Sequence, residues 1–186
     1  MEGITSYRLL RSRRKTLSIE LTPRGDILVR APMRLSNRDI QRFVESRRDW
    51  IEVHLARIHK EKPLTGQEHQ ALIRAAKEIL PQKAAFFASR LGVTYGRISI
   101  RSQHSRWGSC SAAGNLNFNC LLMLAPEDVQ DYVVVHELCH RKEMNHAPAF
   151  WTVVEKILPD YRVQKKWLKD NGAALLSRLP EEHDPR

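Results

Sequence analysis

The segment Val135-His136-Glu137-Leu138-Cys139-His140 constrains this chain more than any other stretch of it. It reads H-E-x-x-H. On a helix each residue advances about 100°, so His140 stands within about 40° of His136, one turn further on. Both imidazoles can then bind one ion, with Glu137 beside them. Neutral imidazole is a good zinc ligand and zinc prefers four-coordination, so three protein ligands leave one place for water. The metal lowers the pKa of that water towards about 7. An adjacent carboxylate can then act as general base and pass the proton to the leaving group. The pattern predicts a hydrolase with Zn2+ as cofactor, His136 and His140 as metal ligands and Glu137 as the catalytic residue.

A third ligand is needed. His146 follows His140 by six residues, which in one continuous helix is about 240° round and on the wrong face. The helix must therefore break between them. Asn145 is the local candidate for a left-handed cap, because asparagine tolerates positive φ. His146 then folds back to the metal; the alternative ligand is Glu155. Cys139 lies inside the motif but points elsewhere.

The remaining chain must supply a scaffold. Its 186 residues suit one compact domain, or a small catalytic domain with a subdomain. An apolar content of 42% and a charged content of 28% are ordinary for a globular core. No apolar run approaches the roughly 18 residues of a membrane span, and the N-terminus lacks the apolar stretch of a secretory signal. Three cysteines without C-x-x-C spacing argue against a disulfide framework and for reduced thiols. Together these predict a cytoplasmic protein.

Thr16–Leu21 alternates with period two, Pro23-Arg24-Gly25-Asp26 signals a turn, and Ile27–Ala31 resumes an apolar run that Pro32 ends. That is a β-hairpin. Ser36 is an N-cap for one long amphipathic helix to about His59, with Ile40, Phe43, Val44, Ile51, Leu55 and Ile58 on its apolar face. Residues 61–66 form a linker. A second helix runs from about Gln67 to Leu91, kinked or split at Pro81 and stopped by Gly92. Arg97–Arg101 is a strand. Asn115–Cys120 alternates strictly, with Leu116, Phe118 and Cys120 on one face and three asparagines on the other. Pro126, Glu127 and Asp128 open the motif helix, two further helical stretches follow, and the tail from Pro180 reads as frayed.

The net charge is +10. The basic excess lies in residues 1–125, outside the motif region, and its densest run is Arg11, Arg13, Arg14 and Lys15. Such a surface suits nucleic acid or an anionic nucleotide, or is simply a solvated face. Arg106 is a candidate contact for substrate or transition state, and equally a structural ion-pair partner. Trp107 reads as a core anchor. The Asn115–Asn119 strand is either an edge to which a peptide adds or an internal strand. Tyr132 and Tyr161 are candidate oxyanion helpers. His54, His59, His69, His104 and His183 have no partner spacing.

Trp107-Gly108-Ser109-Cys110, Tyr132–His140, Asn145-His146 and Phe150-Trp151 together resemble the YgjP-like metallopeptidase family. The resemblance implies a zincin-like catalytic domain, zinc on His136, His140 and His146, a catalytic Glu137, and similarity to SprT-like proteases, which act near DNA. The spacing also looks like the metzincin motif, but Glu143 stands at its glycine position and argues against membership there.

The expectation is thus an α+β fold. Residues 1–62 form an N-terminal β-hairpin subdomain with a long helix, and residues 63–186 a zincin-like domain with a small antiparallel sheet and the H-E-x-x-H helix. The leading function is a zinc-dependent metallopeptidase acting on a peptide or protein substrate. One alternative is a nucleoside triphosphate pyrophosphatase using the same metal. Another is a nucleic-acid-associated module with a structural metal, against which Glu137 counts, since a structural site needs no base.

Overall fold

A computed structural model describes residues 6–180. His183 and nearly all of the expected frayed tail lie outside the described residues. The chain divides into two compact units, residues 1–62 with 173–178, and residues 63–172 with 179–186. Among the described residues no helix is long and apolar enough to cross a membrane. The α+β expectation stands: two three-stranded sheets and six α-helices are described.

In the first unit β2 (Ser18–Leu21) and β3 (Ile27–Pro32) form the expected antiparallel hairpin. Its turn is closed by Gly25, at φ 85°, and by the Thr22 hydroxyl accepting from the Asp26 N–H at 3.0 Å. A third strand, β1 (Arg8–Ser12), runs parallel to β3 on its other side. The expected single long helix is two helices, α1 (Asn37–Glu45) and α2 (Arg48–Lys60). At the junction the Ser46 hydroxyl donates back to the Phe43 carbonyl at 2.7 Å, and Arg47 leaves helical geometry at φ −114°, ψ 11°. Serine competes with the helical ladder in this way. Ser36 caps α1 as expected. Val29 and Ala31 pack with Ile40, Val44 and Ile51 in the core.

Arg11, the first residue of the basic run weighed as either a phosphate-binding or a solvated surface, is a structural staple. Its guanidinium donates to the carbonyls of Pro32, Met33 and Leu35 at 3.1, 3.1 and 2.6 Å, and to the Asn37 side chain at 2.7 Å. Its donors already serve the backbone between β3 and α1.

The second unit begins with α3 (Gly66–Leu91), which Pro81 does not split. A Thr65–Glu68 capping box starts it and Gly92, at φ 63°, ends it. Ala76, Leu80, Ala84, Phe87, Ala88 and Leu91 recur at helical spacing on its buried face. That face packs against α4 (Glu127–Cys139), and the pair is tied by Lys83 to Glu127 and Asp131 at 2.9 and 2.6 Å.

The small sheet is mixed rather than antiparallel. β6 (Leu116–Asn119) is its middle strand, parallel to β4 (Ile98–Arg101) and antiparallel to β5 (Gly108–Cys110). The strand weighed as an edge is therefore internal, and β4 and β5 are the edges, β5 being the one beside α4. Leu116 and Phe118 are fully buried, as the alternation predicts, but so is Asn119 on the polar face. Its amide donates to the carbonyls of Gln103 and Arg106 at 2.7 and 3.0 Å and its oxygen accepts from Leu121 N–H at 3.1 Å. Asn119 thus fixes the 102–107 loop. α5 (Pro148–Ile157) and α6 (Tyr161–Leu176) complete the fold.

Candidate active site

α4 is buried almost all round, against α3, β5, β6 and α5. Two consequences follow for the motif it carries. His136, Glu137 and His140 project from a helix fixed on every side, and Glu137 is taken out of water, only 6% exposed. The helix ends at the second histidine: His140 is the C-cap, at φ −64°, ψ −13°. The break needs no left-handed residue, and no non-glycine residue among those described has positive φ. Asn145 acts differently from the expected cap. Its side-chain oxygen accepts from the Ala147 N–H at 3.0 Å, turning the chain into α5, where Pro148 takes the first position.

That turn brings His146 back over α4. The ligand atoms of His136, His140 and His146 all lie within 4.8 Å of one another, and the Nε2 atoms of His136 and His146 are 2.9 Å apart. Glu155, the alternative third ligand, is instead paired with Arg162 at 2.7 Å and is not in the cluster. The buried Phe150 ring packs against all three imidazoles, with centroids 4.7 to 4.9 Å away.

The donor set fits a divalent transition metal. His140 Nδ1 lies 3.0 Å from the Glu143 carbonyl. A carbonyl only accepts, so Nδ1 carries the proton and Nε2 keeps its lone pair for a metal, an arrangement typical of metal-binding histidine. Glu143 thus contributes a carbonyl at the position where the metzincin pattern has glycine. Burial, and then the charges of His146, His140 and Lys165, push the His136 pKa down to about 3. Burial, with His140 and Lys165, also lowers that of His146. Both are neutral imidazoles at pH 7, the form that binds a cation. His136 Nδ1 is buried without a hydrogen-bond partner.

The three histidines share an open cleft of about 270 Å³ with Glu137, Met144 and the three residues of β5, Gly108, Ser109 and Cys110. Burial raises the Glu137 pKa to about 8, opposed by the positive charge of Arg106. Among the described residues no hydrogen-bond donor reaches the Glu137 carboxylate. Gly108 is what admits it: a Cβ there would lie 2.8 Å from both Glu137 Cγ and Oε1. The sequence motif contains this glycine, but only the tertiary approach of β5 to α4 reveals its purpose. Arg141 secures the helix end to its surroundings, donating to the carbonyls of Thr94 and Ala112 at 3.0 and 3.3 Å.

Other candidates fall elsewhere. Arg106 is exposed and does not line the cleft, though its charge is felt by Glu137. Trp107 is half-buried beside Gly172, where a Cβ would meet its indole Nε1 at 3.2 Å. Tyr132 and Tyr161 do not line the cleft but stack on each other behind the histidines, 6.4 Å between centroids. Cys139 is fully buried, with its thiol pushed up to about 12 by burial. His69 Nε2 meets the Ser102 hydroxyl at 2.7 Å, joining α3 to the loop after β4.

Three imidazoles and one buried carboxylate on a common cleft form the arrangement that metal-dependent hydrolases use. Comparison with protein families agrees: residues 15–72 and 64–171 match the YgjP-like metallopeptidase domain, and the chain belongs to that family. The family implies a divalent metal and a peptide or protein substrate. No curated protein matches the sequence. Two solved structures are similar. The metallopeptidase zymogen abylysin of Pyrococcus abyssi is 21% identical over 48% of this chain and 91% of its own, with a TM-score of 0.45. The metallopeptidase zymogen jannalysin of Methanocaldococcus jannaschii is 17% identical over 48% of this chain and 96% of its own, with a TM-score of 0.42.

Proposed function

We propose that this chain is a zinc metallopeptidase in which His136, His140 and His146 hold the ion and Glu137 is the general base. The observation that carries the reading is the convergence of three imidazoles and one buried carboxyl group on a cleft bordered by an edge strand. A zinc ion bound there supplies Lewis acidity, which polarises a carbonyl and makes water a stronger acid. The positive charge of such an ion would favour the ionised form of Glu137 against the burial that raises its pKa to about 8; the carboxylate then takes the proton of the attacking water and delivers it to the amine nitrogen as the peptide bond breaks. Among the described residues no donor competes for its lone pairs, and the open side of β5 leaves the cleft accessible to a chain.

Strand β5 suits an extended peptide. The backbone N–H of Asn119 bonds Trp107 and that of Ser111 bonds Asn115. By the alternation of an antiparallel ladder, Gly108 and Cys110 then turn their N–H and C=O groups to the open edge. A substrate adding there as a further strand lies along the cleft, with the exposed Met144 as an apolar contact at the rim. The free cysteines Cys110, Cys120 and Cys139 suit a reducing, cytoplasmic setting.

The test is a screen of unstructured peptides beside nucleoside triphosphates, with wild type and Glu137→Gln compared. Zinc-dependent peptide cleavage is expected. Nucleotide hydrolysis without peptide cleavage would replace this reading with that of a pyrophosphatase, and binding of nucleic acid without either hydrolysis would replace it with a structural metal module.

Two substitutions refine it. Gly108→Ala forces a methyl group against the Glu137 carboxylate, so kcat is expected to fall by about 10²-fold, the cost of misplacing a catalytic group by about 1 Å. Zinc content should not change; wild-type kcat in this variant would show that the close approach is unimportant. Arg106 does not line the cleft, but its positive charge reaches Glu137, and it is proposed to act at a distance on negative charge in the site. Arg106→Ala is then expected to lower kcat by roughly tenfold or more with little change in KM, whereas a purely structural arginine would lower the unfolding temperature and spare kcat.

A further inference from the structure

His146 lies in the loop between α4 and α5, six residues beyond the cap of α4, and it is exposed. Ordering such a side chain costs conformational entropy, so something must hold it before metal arrives. Trp151, half-buried on the first turn of α5, makes two contacts to it. The indole Nε1 donates to the His146 carbonyl at 3.1 Å, and the indole ring stacks on the imidazole at 5.7 Å and 25°. One contact holds the backbone and the other the ring.

Trp151 is itself held. Tyr161 stacks on it at 5.3 Å and 15°, and the Lys165 ammonium sits 3.7 Å from its ring centroid. Tyr161 stacks in turn on Tyr132, whose ring meets the His136 imidazole edge-on at 5.9 Å. The contacts run from His146 through Trp151, Tyr161 and Tyr132 to His136. Aromatic pairs and cation–π contacts of these geometries are attractive. The stack therefore couples the loop-borne histidine to a helix-borne one.

We infer that Trp151 is a positioning residue, a clamp that presets His146 in its metal-binding orientation. The inference rests on the reading of the three histidines as a metal site. Its test is zinc affinity, measured on the full chain by competition with a chromophoric chelator. Trp151→Ala is expected to weaken zinc binding roughly 10- to 100-fold, as loss of groups that orient ligands does. Trp151→Phe, which keeps a stacked ring but no N–H, should show a smaller loss. In a His146→Ala background, Trp151→Ala should have no further effect, because the ligand it positions is gone. Unchanged affinity in Trp151→Ala, or the same loss in both backgrounds, overturns the clamp. If Trp151→Ala does not fold, Trp151→Phe decides, and wild-type affinity there overturns it. A wild-type chain that binds no zinc removes the metal reading itself, and the clamp with it.

Discussion

Glu137→Gln is expected to fold, to keep its zinc and to lose nearly all peptide hydrolysis, a fall on the order of 10²–10⁴-fold in kcat. The substitution preserves volume, which matters because Glu137 is buried and Gly108 leaves it no spare room. It removes only the capacity to accept and release a proton. The carboxylate is not part of the three-histidine cluster, so metal content should be untouched. The measurement is kcat on a cleaved peptide, with zinc determined on the same sample. Undiminished hydrolysis at full zinc content would assign the base to another residue.

His136→Ala is expected to lose the metal. The wild type should carry one zinc per chain after purification and the variant close to none. His136 is the histidine around which the site is arranged: its imidazole faces His140, His146 and Phe150, and its Nε2 lies 2.9 Å from that of His146. Removing it leaves two imidazoles, too few for the three-ligand site that catalytic zinc uses. Metal analysis of wild type and variant checks this, with thermal unfolding of the metal-free proteins as the control for folding. Full zinc retention in His136→Ala would place the metal elsewhere.

These two effects rest on residues whose convergence was legible in the sequence, for a physical reason. H-E-x-x-H geometry is local: helical period alone puts His136, Glu137 and His140 together. The need for a helix break before His146 also followed from angles, although the means did not. A left-handed Asn145 was a reasonable expectation, yet the helix simply ends at His140 and Asn145 makes its turn with a side-chain hydrogen bond. Signals of comparable locality found the hairpin at Gly25, the cap at Ser36 and the stop at Gly92.

What stayed hidden depends on contacts distant in sequence. Nothing near Gly108 says that Glu137 will arrive against it. The asparagine face of β6 was legible only as polar, because alternation reports which residues differ and not which neighbour covers the polar ones; Asn119 is buried under the loop it anchors. Arg11 looked like part of a basic patch, because charge is visible in a sequence and carbonyl partners 21 to 24 residues away are not. The break at Ser46–Arg47 was masked by an apolar pattern that continues through it, since both helices bury their apolar residues in one core. The aromatic stack behind the histidines brings together residues from α4, α5 and α6, a grouping that no single periodicity displays.

The central claim is that one zinc ion sits among His136, His140 and His146 beside Glu137. Diffraction from crystals of the zinc-loaded protein, recorded on both sides of the zinc absorption edge, tests it most directly. A single strong anomalous peak is expected about 2.0–2.1 Å from one nitrogen of each of the three rings, with the Glu137 carboxylate facing the open coordination position. A peak elsewhere on the molecule, or one at His136 and His140 with His146 turned away, would contradict it.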